Sequence, residues 1–279
     1  NAVRYLEQYQ DNISPRSALN AHGIGANGEM IQTTDIVSPF EMKTEVVEDK
    51  KNPYYIETQT TRDIRDLIHA GFESGNKAMA VIGPKGCYKS AVAKNIVDTS
   101  GVQYELFSLH PDITSRDLLQ SRGTDENGDT IWRDTPLTRA ARNGTFVTLD
   151  GIDKLRADTM SSLAMLLESG WAVLPDGTSF YVDDSFGCIA LAHPPSEKSW
   201  ITPEIKSMFY WVNATPLPRD EMHEVLNGLF PSIDKGILGQ ILSLQEHLNN
   251  VVVDSDADKE AMQLSLRKLK HICRRVEQR

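Results

Sequence analysis

The feature that most constrains the fold of this chain is a glycine-containing loop between an apolar run and an amphipathic segment. The apolar run covers Ala78–Ile82 and the amphipathic segment covers 91–98, which predicts a buried strand, a loop and a helix in that order. The loop has the spacing of a phosphate-binding P-loop, and its residues are Gly83, Pro84, Lys85, Gly86, Cys87, Tyr88, Lys89 and Ser90. Such a unit is expected inside a parallel α/β sheet.

In a P-loop, glycines let backbone N–H groups curl around phosphate oxygens at the start of a helix. The pattern predicts that Lys89 reaches the β- and γ-phosphates and that Ser90 ligates Mg²⁺. The departure is Tyr88, because the pattern requires glycine there and a β-carbon obstructs both the backbone torsions and close approach. A strained torsion costs about 1–3 kcal/mol, or about 10–100-fold in affinity. The sequence therefore predicts a site for ATP or ADP with Mg²⁺ that Tyr88 weakens.

A second apolar strand, Phe146–Asp150, ends in an acid, as a Walker B motif does. Asp150 is expected to join Ser90 in the Mg²⁺ shell. The next position normally carries a glutamate that polarises the attacking water, and here it is Gly151. Losing a general base costs about 10²–10⁴-fold in rate. Asp153 is shorter and three residues on, so we expect it to be a helix-start or surface acid.

The remaining pattern alternates strands and helices. Further strands are predicted at 104–108 and 188–192, and Asn127-Gly128 and Asp176-Gly177 indicate two hairpins. Helices are predicted at 62–74, from about 115, at 136–143 and at 158–169. This alternation predicts a three-layer parallel α/β domain at 53–215, followed by a small all-helical lid at 216–279.

Residues 1–52 are interpreted as a linker or leader from a preceding region, not as a domain. Gly23–Gly28 spells G-x-G-x-x-G, but no strand precedes it and no helix follows, so a flexible loop is expected. The chain starts at Asn1 and stops inside a helical pattern at Arg279, which indicates a segment of a longer protein.

Charge and cysteine content restrict the partners and the compartment. The net charge is −10 with no basic block, which argues against nucleic acid, and the basic residues of 268–275 are interpreted as one solvated helix face. Cys87, Cys188 and Cys273 lie far apart, which favours a reducing compartment. No apolar run approaches the roughly 18 residues that would predict a membrane span.

Taken in order, these motifs resemble the AAA+ ATPases related to midasin, dynein and MoxR. The resemblance covers about 53–279 and includes the P-loop, both hairpins, the run 132–141, the segments 149–155 and 189–194, and a sensor 2-like element at 264–269. It implies a P-loop AAA+ domain with a helical lid. The group includes a large mitochondrial protein with several AAA+ modules, and this stretch resembles its second module. The resemblance therefore implies a mitochondrial location.

Family roles carried over by position leave the site without catalytic residues. The sensor 1 position, usually asparagine, is His193, which can still donate a hydrogen bond. The arginine-finger position, which precedes a phenylalanine, is Met208, and a thioether cannot stabilise transition-state charge. A finger is worth about 10³–10⁵-fold in rate. Arg267 is retained and is expected to contact a γ-phosphate.

Three functional hypotheses follow. The first is a non-hydrolysing module with a structural or regulatory role in a multi-module AAA+ ring, whose parent protein hydrolyses ATP through another module. The second is a slow ATPase that uses Asp153 or a group in trans as its base. The third is a nucleotide-free protein-interaction scaffold. Expected partners are neighbouring AAA+ modules and protein clients, which would contact the hairpins at 126–129 and 171–180.

Overall fold

The computed structural model describes residues 55–195, 200–250 and 264–278. The predicted leader at 1–52, with its Gly23–Gly28 loop, lies outside these residues. Five strands form a parallel sheet in the order β2-β5-β8-β1-β9. These strands are β1 (Ala78–Ile82), β2 (Tyr104–Ser108), β5 (Phe146–Asp150), β8 (Gly187–Ala192) and β9 (Tyr210–Asn213).

Helices flank this sheet in the large subdomain. They are α1 (Gln59–Glu73), α2 (Lys89–Ser100), α3 (Ser115–Leu119), α4 (Pro136–Asn143), α5 (Ala157–Ser169) and α6 (Pro203–Met208), with a 3₁₀ turn at Ile152–Lys154. Alternate residues of β1 enter two separate cores: Ala78, Ala80 and Ile82 join one, and Met79 and Val81 join the other. Because successive strand residues point to opposite faces, the sheet is covered on both sides, and the predicted three-layer α/β fold is confirmed.

Two antiparallel hairpins extend this framework where the turn signals predicted them. The first joins β3 (Gln120–Thr124) to β4 (Thr130–Asp134), and the second joins β6 (Trp171–Val173) to β7 (Ser179–Tyr181). Their tight turns contain Gly128 and Gly177, both with positive φ. A glycine is suited to each turn because it adopts this backbone without strain.

After the sheet, the described residues contain three helices, which we call the lid: α7 (Arg219–Leu229), α8 (Lys235–Asn249) and α9 (Leu266–Glu277). They share a core that includes Leu226, Leu242 and Leu269. The boundary predicted at residue 215 stays a prediction. Within the described ranges, no helix is both long enough and apolar enough to cross a membrane.

Sequence patterns identified most elements but missed two. Strand β9 and helix α6 were not predicted, although an aromatic run at 209–211 follows a helix that begins with a proline. The strand is short and only Val212 in it is fully buried, so the apolar signal is weak. It nevertheless pairs with β1 and therefore borders the P-loop.

Candidate functional site

Three neighbouring strands bring the predicted site residues to one edge of the sheet. Strand β8 lies between β1 and β5, and all three run parallel. The P-loop follows the carboxyl end of β1, Asp150 and Gly151 lie at the carboxyl end of β5, and His193 follows β8. In open α/β sheets this edge is where ligands bind.

Close backbone contacts hold the P-loop in place. A β-carbon at Gly83 would overlap the carbonyl oxygen of Ala214, which follows β9. A β-carbon at Gly86 would overlap the side chain of Ser265, the residue that precedes lid helix α9. Both glycines are therefore required by close approach, and the lid already contacts the loop at Gly86.

Lys89 turns its ammonium group back onto the P-loop. It is 8% exposed, and its Nζ donates to the carbonyl oxygens of Gly83 at 2.6 Å and Pro84 at 2.9 Å. The Sγ of Cys87 lies 3.6 Å from the same nitrogen, and burial raises the pKa of this thiol despite the charge of Lys89. The ammonium group of Lys89 therefore donates hydrogen bonds to backbone carbonyls of the loop, where the P-loop pattern predicts contacts with phosphate oxygens.

Tyr88 keeps the backbone conformation that a glycine would supply. Its φ is 71° and its ψ is 7°, and among the described residues it is the one non-glycine with positive φ. The loop therefore retains its left-handed turn immediately before α2, at the cost of strain. The turn leads directly into α2, and the backbone N–H groups at the start of a helix bind phosphate, so the loop still fits a phosphate group.

Ser90 and Asp150 are the two residues that could hold Mg²⁺. Ser90 is exposed in the first turn of α2, and Asp150 is partly buried at the end of β5. The described residues contain no cluster of three or more His, Cys, Asp or Glu side chains suited to a metal. Mg²⁺ usually keeps several waters and binds through substrate phosphates, so these residues fit the ion only together with a phosphate ligand.

Gly151 has a backbone that disfavours the glutamate expected at its position. Its φ is 94°, and a β-carbon there would lie 2.7 Å from Nζ of Lys154. Only glycine adopts this conformation readily. The edge of the sheet therefore lacks a side chain at this point, and the local chain path is adapted to that absence.

Asp153, expected to be a helix-start or surface acid, lies in the 3₁₀ turn Ile152–Lys154 but is not on the open surface. Its side chain is 15% exposed and both of its oxygens contact His193. The backbone N–H of His193 donates to Oδ1 at 3.2 Å, and Nδ1 lies 3.1 Å from Oδ2. Burial raises the pKa of Asp153, but the hydrogen bonds and charge of His193 outweigh it, so the pKa is lowered. The carboxylate thus positions His193.

Met208 and Arg267 are the two remaining predicted positions. Met208 is buried at the end of α6, where it packs in the core of the large subdomain. Arg267 is exposed on the first turn of α9 and forms no hydrogen bond or ion pair with described residues. Their assignments as finger and sensor 2 positions stay predictions.

Sequence reasoning missed three residues that border the P-loop. Tyr55 stacks on Tyr88, Lys270 places its ammonium over the Tyr88 ring, and Ser265 contacts Gly86. Lys270 follows Arg267 by one helical turn, so the periodicity of α9 could have identified it. Nothing local in the sequence connects Tyr55 to the loop.

Comparisons with known proteins agree with this geometry. Residues 78–209 match the AAA domain of the dynein-related subfamily. The von Willebrand factor A domain-containing protein 8 of Mus musculus is 34% identical over 230 residues, which are 72% of this chain and 12% of that protein. Protein NorQ of Paracoccus denitrificans is 29% identical over 110 residues, which are 39% of this chain and 40% of NorQ.

A solved structure gives the same fold. NtrX from Brucella abortus, in complex with ADP, has a TM-score of 0.53 and 16% sequence identity, covering 80% of this chain and 50% of that one. At this identity the match supports the fold alone. The chain spans less than half the length of both relatives in sequence, so their whole-protein activities do not transfer to it directly.

Proposed function

Because residues 78–209 are an AAA domain of the dynein-related subfamily, we propose that this AAA+ ATPase-type module does not hydrolyse ATP and has a structural or regulatory role in a multi-module assembly. The observation that carries the proposal is the left-handed backbone of Gly151. A glycine at this position has no carboxylate to polarise a water, and the left-handed backbone suits glycine.

The carboxylate that the sequence offers as a replacement base is poorly placed for that role. Asp150 precedes Gly151 and is proposed to serve Mg²⁺, and the next carboxylate along the chain, Asp153, has both of its oxygens in contact with His193. A lowered pKa also makes Asp153 a weaker proton acceptor. These contacts weigh against the slow ATPase, which would need Asp153 or a group from a neighbouring subunit.

Nucleotide contact is the part of the site that we propose to survive. The loop keeps its left-handed turn, Gly83 and Gly86 keep the backbone close, and Lys89 is positioned beside it. When bound, Mg²⁺ would neutralise phosphate charge beside Ser90 and Asp150. We propose that ATP or ADP binds weakly, because the Tyr88 backbone is strained and the Lys89 ammonium must exchange its two carbonyl partners for phosphate.

A nucleotide-free scaffold is the second candidate, favoured by the same Lys89 contacts. An ammonium already satisfied by Gly83 and Pro84 stabilises the loop without a ligand. In that case the P-loop would serve the fold alone. Binding measurements separate the two candidates.

We also propose that neighbouring AAA+ modules and protein clients are the partners. The hairpin β6–β7 supports a client contact, because Trp171, Val173 and Tyr181 are 40%, 48% and 85% exposed. Exposed apolar side chains grouped on one small element are typical of protein contacts. A mitochondrial location stays a prediction from the resemblance, and fractionation of cells that express the parent protein would test it.

The proposal is tested by equilibrium binding of Mg-ATP and Mg-ADP to the purified chain, with a phosphate-release assay in parallel. We expect saturable binding and no phosphate release above that of a Lys89→Ala variant, which controls for contaminating ATPases. Release that disappears with Lys89→Ala would show genuine turnover and refute the proposal. Absence of any binding would favour the scaffold.

A further inference from the structure

Tyr88 sends its side chain out of the P-loop and into the lid. The residue is 9% exposed and belongs to the lid core, together with Leu226, Leu266 and Leu269. Burial raises its pKa to about 12. A residue of the P-loop is therefore also a core residue of the neighbouring subdomain.

Three contacts hold the ring, and we call Tyr55, Tyr88 and Lys270 the aromatic clasp. The rings of Tyr55 and Tyr88 are stacked, with centroids 5.6 Å apart and planes at 9°. The ammonium of Lys270 lies 4.4 Å from the Tyr88 ring centroid. The backbone N–H of Ile56 faces the phenol oxygen at 3.5 Å. Stacking on an aromatic face and attraction to a cation are interactions that also bind a nucleobase.

The clasp explains why a strained residue persists at this position. Strained backbones survive where surrounding contacts over-determine them. Here Tyr88 is fixed from the segment before α1, through Tyr55 and Ile56, and from α9, through Lys270. The ring therefore joins the large subdomain to the lid.

The clasp also lies on the side of the P-loop towards which the nucleoside of a bound nucleotide could extend. The phosphates of a nucleotide would rest on the backbone of the loop at the start of α2. The base, tied to those phosphates through the ribose, must leave the loop towards its neighbours. On the lid side these neighbours are Ser265, which contacts Gly86, and the clasp.

We propose that the Tyr88 ring takes the place of a nucleotide base, stacking on Tyr55 beneath Lys270 and holding the lid on the P-loop without ligand. This deepens the proposed function and rests on it for the phosphate site. The module would then accept the phosphates of a nucleotide while excluding its base. Its lid position would be set by Tyr88 and not by bound nucleotide.

The test compares Mg-ADP with Mg-pyrophosphate, since their affinity ratio reports the contribution of the nucleoside. The ring-removing variants are Tyr88→Asn and Tyr88→Gly, because asparagine and glycine both tolerate a left-handed backbone. Tyr88→Phe is the matched control that keeps the ring. We expect the preference for ADP over pyrophosphate to rise about 5–150-fold in the Asn and Gly variants, and to stay unchanged in Tyr88→Phe.

A second readout needs no ligand affinity. Hydrogen exchange of the backbone amides in α9 should become faster in Tyr88→Asn than in Tyr88→Phe, and added ADP should restore protection only in Tyr88→Asn. If the wild type binds neither ligand, a gain of ADP binding in Tyr88→Asn alone still supports the proposal. An unchanged ADP preference together with unchanged α9 exchange would overturn it. Phosphate release does not enter this test, so turnover by the wild type would refute the proposed function and leave this result independent.

Discussion

Two residues at the carboxyl edge of the sheet, Tyr88 and Gly151, have left-handed backbones but opposite surroundings. Tyr88 has φ 71° and a ring packed against the lid, whereas Gly151 has φ 94° and the Lys154 side chain as its nearest neighbour. At the first position a side chain occupies a backbone that suits glycine. At the second, glycine occupies a position where a glutamate is expected.

This contrast divides the site into two halves. We call the P-loop around Tyr88 the binding half, and the end of β5 around Gly151 the catalytic half. Around the P-loop, packing from Ala214, Ser265 and Tyr55 preserves the shape of a phosphate cradle. At the end of β5, the polar contacts of Asp153 and His193 are satisfied by each other. Packing therefore holds the first region in shape whether or not the module hydrolyses ATP, whereas the second region has glycine where a glutamate is expected.

The largest expected effect comes from adding the same methyl group to both halves. In Gly83→Ala the β-carbon meets the backbone oxygen of Ala214, which cannot move without displacing β9, so we expect a loss of about 3 kcal/mol in unfolding free energy. In Gly151→Ala the nearest atoms belong to the flexible side chain of Lys154, which can move, so the main cost is the strained torsion, about 1–2 kcal/mol.

Urea unfolding of both alanine variants measures this difference. Gly128→Ala serves as a control, because Gly128 has φ 88° but no atom within 4 Å of an added β-carbon, so it reports the torsion alone. Because Gly83 does not have a positive φ, a loss near zero for Gly83→Ala would show that close approach does not constrain the P-loop. The binding half would then be no more rigid than a surface turn.

Several strands and helices that frame both halves of the site could be predicted from local sequence. Strand β1 and strand β5 have the bounds that their apolar runs indicate, since fully buried strands are continuous apolar segments. Helix α4 is equally clear, because Thr135 caps it, Pro136 begins it and Gly144 ends it in a left-handed conformation. These signals act within a few residues.

The contacts that define the site could not be predicted in the same way. Tyr88 was interpreted only as an obstacle to phosphate, because its stacking partner Tyr55 lies 33 positions earlier and its cation, Lys270, lies in the lid. Asp153 was expected to be a helix-start or surface acid, whereas its carboxylate contacts His193, which lies 40 positions later in the chain. Such pairs depend on strand order, which no local pattern encodes.

Restoring the expected glutamate is the next test of the contrast. Gly151→Glu should not produce hydrolysis, because a side chain at φ 94° is strained by about 1–3 kcal/mol and directs the chain away from its present path. Tyr88 and Met208 also remain unchanged in this variant. Phosphate release by Gly151→Glu is compared with that of Gly151→Ala, which has the strain without the carboxylate. Robust turnover by the glutamate variant alone would mean that the two halves are still coupled.

The smallest expected effect concerns the Asp153–His193 pair, and its sign follows from the lowered pKa of Asp153. A carboxyl whose pKa is lower in the folded protein stabilises the fold above its unfolded pKa, and this contribution is lost as pH falls through the folded pKa. Asp153→Asn should therefore lower the unfolding free energy by about 1 kcal/mol at pH 7, since the amide oxygen can still accept the backbone N–H of His193.

The difference between Asp153→Asn and the wild type should begin to shrink below about pH 4, the usual pKa of an unfolded aspartate, and should be lost as pH falls through the lowered pKa of the folded carboxyl. Unfolding in urea at several pH values measures it, and Asp158→Asn, an exposed acid at the start of α5, is the control for loss of charge alone. A constant difference at all pH values would indicate a loss of packing. A difference that vanishes in acid would show that the carboxylate holds His193 electrostatically, as expected for a catalytic half whose charges are already paired.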